Sequence, residues 1–204
     1  MRTLRTTPWA AAALVLALAA CERREPAPAE TARSPAGDPL TSDEQARVVA
    51  QAAAAITPFK QQLSAALTKA LQQGGPLQAI EVCAETAPRL AAQASSEQTQ
   101  VGRSALRLRN PSNAPREWLK PLLADLAKLD SAQGAQRVAK LSNGRYGYAE
   151  AIVLQPQCAL CHGTSVAAPI AEAIRARYPN DQAMGFEPGQ LRGVFWAELA
   201  LANP

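Results

Sequence analysis

The sequence predicts an α+β protein in which helices flank a small antiparallel sheet. Three observations support this fold class. Apolar residues recur at helical spacing through the first half of the folded region. Period-two alternation around an Asn-Gly turn predicts a β-hairpin in the second half, and the alternating stretch 191–200 predicts a closing strand. We therefore divide the chain into an export segment at 1–20, a tether at 21–40 and a folded domain at 41–204.

The first residues have the pattern of a bacterial export signal. Arg2 and Arg5 are basic, and the apolar stretch 9–20 is too short for a helix that crosses a membrane. The segment ends in Leu-Ala-Ala-Cys, which resembles the lipobox of bacterial lipoproteins and implies lipid attachment to Cys21. The alternative is an ordinary signal peptide, with Cys21 incidental. We expect a periplasmic protein that a lipid anchors to the membrane, the outer membrane more readily than the inner.

Residues 22–39 are rich in proline and have no apolar period, so they predict a disordered tether. Removal of residues 1–20 leaves 184 of the 204 residues, enough to bury the core of one domain. It also removes two arginines, which lowers the formal charge from +4 to +2. Lysines and arginines are scattered and aromatic residues are few, so we expect no nucleic-acid partner.

A long helix is predicted at the start of the folded domain. Residues 42–45 (Ser-Asp-Glu-Gln) have the capping-box pattern, with Ser42 as the N-cap. An apolar stripe at helical spacing follows over residues 48–71. Pro58 predicts a kink or a restart within this helix, and the Gly-Gly-Pro sequence at 74–76 predicts its end.

A second helix is expected over residues 77–94, with Cys83 on its buried stripe. Pro88 removes one helical hydrogen bond and is expected to distort this helix just past Cys83. The stretch 101–109 then alternates with a period of two and predicts a strand. Three arginines of this strand are expected on one face: Arg103, Arg107 and Arg109.

After a turn cluster at 110–115, the sequence predicts a helix over residues 116–130 and then a hairpin. The hairpin strands, 136–141 and 145–154, flank Ser-Asn-Gly, and an Asn-Gly pair favours a primed turn that matches the twist of the strands. The last helix is expected at 168–177.

The hairpin leads into a single Cys-x-x-Cys-His motif at residues 158–162. At this spacing Cys158 and Cys161 can both form thioether bonds to haem, and His162 can bind the iron. His162 is the only histidine in the chain, so a zinc site would lack ligands. A thioredoxin-like redox pair normally opens a helix within a βαβ unit. The motif therefore predicts one covalently attached haem c.

The iron ligand opposite His162 is left open by the composition. With no second histidine, the candidates are Met184, Cys83 or no protein group. The cysteine count draws attention to Cys83. Once Cys21 is assigned to lipid and the motif cysteines to haem, Cys83 remains as an unpaired thiol in an oxidising compartment. The alternative is that Cys83 packs in the core as a small apolar residue.

Four stretches, in this order, carry a resemblance to a known family. They are Ala-Ile-Glu-Val-Cys at 79–83, the segment 101–115 with its Arg-Asn-Pro sequence, the haem motif at 158–163, and 178–193 with its Tyr-Pro-Asn-Asp sequence. Together they resemble the c-type haem domain long catalogued as a domain of unknown function. This domain is known as a standalone cyanobacterial haem protein and as an extracytoplasmic input domain of sensor kinases. The resemblance covers most of the folded region and implies a PAS-like α+β fold.

The resemblance also implies axial ligation by a histidine and a cysteine thiolate, which correspond here to His162 and Cys83. Met184 then lines the haem pocket. Four arginines are candidates to hold the haem propionates or to surround the thiolate: Arg103, Arg107, Arg109 and Arg192. The alternative is a solvated strand face, which we favour for Arg107. A thiolate is anionic and electron-donating, so this ligand set favours ferric iron and a low reduction potential.

These expectations favour a haem-binding protein over an enzyme, because two protein ligands fill the axial positions and no distal histidine is present for acid–base catalysis. We expect a redox or gas sensor, in which reduction weakens the iron–sulfur bond and opens the site to a gas. A low-potential electron-transfer cytochrome is the alternative. No kinase or transmitter sequence accompanies the domain, so signalling would require a separate protein partner.

Overall fold

The computed structural model describes residues 40–201. The predicted export segment at 1–20, the lipidation site Cys21 and all but the last residue of the predicted tether lie outside this range. Among residues 40–201, no helix combines the length and the apolar character that crossing a membrane requires.

The domain begins with a helical segment of 40 residues, α1 (Ser42–Glu81). Its N-cap is Thr41, one residue before the predicted Ser42. The Thr41 hydroxyl accepts a hydrogen bond from the Glu44 amide at 3.1 Å, and the Glu44 carboxylate accepts one from the Thr41 amide at 2.9 Å. Glu44 also accepts a hydrogen bond from the Tyr146 hydroxyl at 2.8 Å. Residues 41–44 (Thr-Ser-Asp-Glu) have the capping-box pattern as well as the predicted 42–45, and the contact with a distant strand favours the box that contains Glu44.

The hydrogen bonds of Glu44 make the stability of the fold depend on pH. The Thr41 backbone amide, and after it the Tyr146 hydroxyl, lower the pKa of Glu44 from 4.5 to about 2. A carboxylate whose pKa is depressed by folding stabilises the protein above its unfolded pKa, and this contribution disappears as the pH falls through the folded pKa. Between about pH 5 and about pH 2 we therefore expect the free energy of unfolding to fall more steeply in the wild type than in Glu44→Gln.

Urea unfolding at a series of pH values measures this difference. Glu97→Gln is the matched control, because Glu97 is an exposed carboxylate near the start of the sheet. It should follow the wild-type pH profile. A Glu44→Gln profile parallel to the wild type would contradict the assignment.

Gly75 divides α1 at the predicted position. It adopts φ 67° and ψ −162°, a conformation with positive φ that favours glycine, and the helix resumes at Pro76. The predicted end of the first helix at Gly-Gly-Pro is therefore confirmed in the backbone. No restart occurs at Pro58, where φ and ψ remain helical. Buried residues on both sides of Pro58 hold this part of α1 against the sheet: Val48, Ala52, Ile56, Phe59 and Leu63.

A wide helical turn follows α1. Residues Val82–Thr86 form a π-helical turn, and the chain then continues as α2 (Ala87–Gln93). Pro88 has no amide hydrogen for the carbonyl of Ala84, and its ring would clash with that carbonyl in a regular α-helix. The wider turn avoids this clash. The predicted distortion is thus confirmed, and Cys83 lies within it.

The sheet has four antiparallel strands in the order β1–β4–β3–β2. The strands are β1 (Thr99–Ser104), β2 (Gln136–Lys140), β3 (Tyr146–Val153) and β4 (Leu191–Leu199). Successive side chains point to opposite faces. One face, with Val101 and Ala197, packs against α1, and the other, with Val194 and Ala149, packs against the helix α3 (Leu119–Leu126). This arrangement confirms the predicted α+β class.

The predicted strand 101–109 is wrong at its C-terminal end, because β1 stops at Ser104. Beyond Ser104 the chain leaves the sheet and pairs with the loop before β4, where the Gln182 amide donates to the Leu108 carbonyl at 2.7 Å. Arg107 and Arg109 therefore lie in a loop and do not share a strand face with Arg103.

Two further features differ from prediction. The hairpin is confirmed, but its turn is not primed. A primed turn needs positive φ at a central residue, whereas within the described range only glycines have positive φ, and the glycine of this turn, Gly144 at 75°, follows the two central residues. Ser142 and Asn143 instead form an ordinary turn that Gly144 completes. The helix predicted over 116–130 is shortened to α3, whose first and last turns have no side-chain caps. The last helix, α5 (Ala168–Arg177), has the predicted bounds.

Candidate functional site

The Cys-x-x-Cys-His motif follows the end of β3. A short 3-10 turn (Pro156–Cys158) leads into the four-residue helix α4 (Ala159–His162). Residues three positions apart share one face of a helical turn, so Cys158 and Cys161 lie on the same side of it. Both are half-buried and both thiols are free.

The hydrogen bonds of His162 leave one ring nitrogen for a ligand. Nδ1 lies 2.7 Å from the Ala183 carbonyl oxygen and 3.2 Å from Nε of Arg192. One nitrogen cannot both donate and accept, and the shorter contact indicates that Nδ1 carries the proton and donates to Ala183. Nε2 is then unprotonated, and it makes no hydrogen bond to any residue in the described range.

The imidazole of His162 is neutral in the folded protein. Burial, followed by the positive charges of Arg109 and Arg192, lowers its pKa to about 3. A neutral imidazole with one nitrogen fixed by a backbone carbonyl and the other unprotonated is the form that binds a metal.

A buried ion pair holds the motif against the loop before β4. Arg109 is only 8% exposed, and its Nε and Nη2 atoms donate to the two carboxylate oxygens of Asp181 at 3.1 and 3.2 Å. Nη2 also donates to the Cys161 carbonyl at 2.6 Å. Asp181 in turn accepts a hydrogen bond from the Ala183 amide at 3.0 Å. This brace therefore sets the position of the Ala183 carbonyl that orients His162.

The π-helical turn brings Cys83 close to the motif. Ile80, one turn before Cys83, belongs to a buried apolar cluster that also includes Cys161 and Met184. Burial raises the pKa of the Cys161 thiol, and the nearby Cys83 raises it further. Burial lowers the pKa of the Arg103 guanidinium, and Cys83 opposes that shift. Because such charge effects decline with distance, Cys83 lies near both groups.

The structure brings the candidates within residues 40–201 into one region. Arg103 lies on β1, on the face of the sheet that the helices α1 and α2 cover, and no carboxylate in the described range pairs with it. Arg109 directs two of its nitrogens to Asp181. Met184 follows Ala183, so its backbone lies on the Nδ1 side of His162. Cys21 lies outside the described residues.

Sequence reasoning assigned no role to Asp181 or to the Ala183 carbonyl. Asp181 stands in the Tyr-Pro-Asn-Asp stretch, which was noticed only for its family resemblance. Its partner Arg109 is 72 positions away, and no local pattern connects the two. The sequence signal that could have identified Asp181 is its place directly after the proline-containing turn at 178–180.

The donor set fits haem and does not fit the two alternatives. Within residues 40–201, no three His, Cys, Asp or Glu side chains are grouped so that they could hold a metal ion, whereas a structural zinc site needs four ligands. The sheet is antiparallel throughout, so the motif does not lie in a βαβ unit. Two free thiols one turn apart, followed by an imidazole with an unprotonated Nε2, match the requirements for haem attachment and ligation.

Comparison with known proteins supports the family expected from the sequence. The structure aligns with a solved structure described as that of the cyanobacterial heme-protein Tll0287, with a TM-score of 0.58 and 26% sequence identity. The alignment covers 81% of this chain and 99% of that chain. No curated protein matches the sequence. The Tll0287-like family model matches residues 40–199. The chain therefore belongs to the Tll0287-like family.

Proposed function

We propose that the protein binds one haem c, held by thioether bonds to Cys158 and Cys161 and by axial bonds to His162 and the Cys83 thiolate. The observation that carries this proposal is the state of His162, which is neutral, is fixed through Nδ1 by a backbone carbonyl, and has an unprotonated Nε2. Two free thiols lie directly before it. The family match and the haem protein of similar structure support the assignment.

The position of Cys83 favours it over Met184 as the second axial ligand. Nδ1 is the ring nitrogen remote from a metal bound at Nε2, and Met184 follows the residue that binds Nδ1. A ligand opposite His162 has to approach from the other side. Cys83 lies on a π-helical turn, an element that commonly redirects side chains at functional sites.

When bound, haem supplies an iron that gains and loses one electron. The protein surrounds this iron with charge. The Cys83 thiolate is anionic, and Arg103 has no carboxylate partner among residues 40–201, which suits it to stabilise the thiolate or a propionate. Arg109 is the second candidate, although only its Nη1 atom lacks an acceptor in the described range.

The proposed role is redox or gas sensing in the periplasm, with Cys21 as a lipid anchor, in the outer membrane more readily than in the inner, and a separate protein as the signalling partner. The π-helical turn under Cys83 supports sensing, because an irregular turn between two helices can shift when its side chain is released. Low-potential electron transfer is the second candidate. The buried ion pair between Arg109 and Asp181 favours electron transfer, because a rigid site changes its structure little when an electron is gained or lost. The main support for the sensing role is the resemblance to extracytoplasmic input domains of sensor kinases.

Haem attachment tests this proposal directly. The wild-type protein, produced in a bacterium that exports it and attaches c-type haem, should keep its haem through denaturing electrophoresis. Cys158→Ala/Cys161→Ala should lose essentially all of this haem, because no thioether bond remains. Haem staining and the pyridine haemochrome spectrum measure the effect. Cys83→Ala is the matched control and should retain covalent haem. If acid butanone extracts the haem from the wild-type protein, the haem is not covalently bound and the proposal is contradicted.

A further inference from the structure

A groove of about 610 Å³ lies behind His162, between the loop before β4 and the end of α3. This volume is in the range of small-molecule sites. Its lining includes two arginines stacked on an aromatic ring, Arg107 and Arg192 on Phe186, and the aliphatic side chains Leu106 and Leu129. We call it the arginine groove.

The arginine groove carries two positive charges around Phe186. The guanidinium carbons of Arg107 and Arg192 lie 4.3 and 5.4 Å from the centre of the Phe186 ring. Arg107 donates to the backbone carbonyls of Gln182, at 2.9 Å, and of Met184, and Arg192 donates to the Arg107 carbonyl at 3.2 Å. Neither guanidinium pairs with a carboxylate from the described part of the chain. The two charges are therefore available to an anion.

Apolar side chains also line the groove. Leu106 is 54% exposed and Leu129 is also exposed, although large aliphatic side chains favour burial. The lining includes one carboxylate, that of the exposed Asp130. Apolar side chains beside two uncompensated guanidinium groups match an occupant with a carboxylate and an aliphatic or aromatic body.

Two residues that line the arginine groove contact His162. The Phe186 amide donates to the His162 carbonyl at 2.9 Å, and Nε of Arg192 lies 3.2 Å from Nδ1 of the imidazole. An anion bound to Arg192 would offset a positive charge next to the ring. Groups that contact the remote ring nitrogen of a metal-binding histidine change the reduction potential of the metal. When the charge around the histidine becomes less positive, the oxidised state of the metal is favoured.

We propose that the arginine groove binds a small carboxylate with an apolar body, and that its occupancy lowers the haem reduction potential through Arg192 and His162. The binding step does not depend on the proposed function, whereas the effect on the potential rests on iron ligation by His162. A small molecule is favoured over an acidic protein because a stable protein interface buries more than about 1,000 Å², whereas this groove has the size of a ligand site.

The test uses the full-length holoprotein and n-octanoate as the probe. Calorimetry should show saturable binding, and acetate and octanamide should bind at least about tenfold more weakly, because each lacks one half of the probe. Spectroelectrochemistry should show a lower potential with octanoate present. If the oxidised protein binds the carboxylate about tenfold more tightly than the reduced protein, the shift is about 59 mV.

Matched variants separate the contribution of the charged residues from that of the apolar residues. Arg107→Gln should weaken octanoate binding at least about tenfold, Arg107→Lys should retain most of it, and Arg175→Gln, at an exposed arginine of α5, should have no effect. Leu106→Ser should weaken octanoate but not acetate. Leu77→Ser is its control, because Leu77 is similarly exposed, at 52%, and does not line the groove.

Several outcomes would overturn the proposal. Equal affinities for octanoate and octanamide, or unchanged affinity in Arg107→Gln, would exclude the carboxylate site. A glutamate-rich peptide that binds more tightly than octanoate would replace the small molecule with an acidic protein. Saturable binding without a change in potential would exclude the coupling. Failure of the proposed function itself is distinguishable, because it would appear as loss of covalent haem, whereas calorimetric binding would persist.

Discussion

Cys83→Ala is expected to raise the reduction potential of the holoprotein by on the order of 100 mV, since about 1.4 kcal/mol of lost preference for the oxidised state moves a one-electron potential by about 59 mV. The physical reason is the loss of an anionic, electron-donating ligand. The ferric form should also lose the optical and electron paramagnetic resonance features of thiolate ligation. Spectroelectrochemistry and low-temperature spectra of wild type and variant measure both effects. Cys83 is half-buried and alanine is only slightly smaller, so the fold should persist.

Met184→Leu is the matched control, because Met184 is the other sulfur ligand that the sequence allows. Its spectra and potential should equal those of the wild type. Wild-type behaviour of Cys83→Ala together with altered spectra of Met184→Leu would reverse the ligand assignment. Carbon monoxide added to the reduced proteins then separates the two candidate roles. Rapid binding by the wild type favours sensing, whereas binding only by Cys83→Ala favours electron transfer.

The parts of the fold that the sequence predicted correctly depend on local patterns. The bounds of α5 follow from an apolar stripe that a proline follows, and β4 follows from strict alternation. The irregular turn around Cys83 was also foreseeable, because Pro88 cannot continue the ladder of helical hydrogen bonds. Each of these signals spans only a few residues, so it can be recognised in the sequence without knowledge of tertiary contacts.

The errors occur where a tertiary contact overrides a local pattern. The alternation of 101–109 continues past Ser104, but the strand ends there because Leu108 pairs with the loop before β4. The helix begins one residue early because residues 41–44 (Thr-Ser-Asp-Glu) have the capping-box pattern as well as residues 42–45, and the first of the two forms, with Glu44 also bound by Tyr146 on β3. Local propensity does not contain the position of a partner that lies far along the chain, so it does not predict where the strand ends.

The candidate site likewise has a part that local sequence predicts and a part that depends on distant contacts. The thiols and the imidazole stand together at 158–162, and their chemistry is readable from spacing alone. The groups that set the state of the imidazole come from elsewhere. The carbonyl of Ala183 fixes its tautomer, and the ion pair of Arg109 with Asp181 sets the position of that carbonyl. Sequence analysis therefore identified the proposed donors and missed the residues that orient them.

Asp181→Ala is expected to lower the free energy of unfolding by about 3–5 kcal/mol, because it leaves the guanidinium of Arg109 buried without a counter-charge. The pair is almost completely buried, with N···O distances of 3.1 and 3.2 Å. Urea unfolding of the holoprotein at neutral pH measures the loss. Asp125→Ala is the matched control, because its partner Lys128 and Asp125 itself are exposed, and such surface pairs contribute about 0–1 kcal/mol.

The double variant Arg109→Met/Asp181→Leu distinguishes stability from orientation. Removing both charges avoids an unpaired buried ion, so most of the stability lost in Asp181→Ala should return. The Ala183 amide nevertheless loses its carboxylate acceptor, and the carbonyl that fixes His162 loses its support. We therefore expect a stable protein with altered haem spectra, because the imidazole proposed to bind the iron is no longer held in one orientation. A double variant with wild-type spectra would show that the ion pair of Arg109 with Asp181 serves stability alone. If Asp181→Ala lowered the free energy of unfolding as little as Asp125→Ala does, the burial of this ion pair would be contradicted.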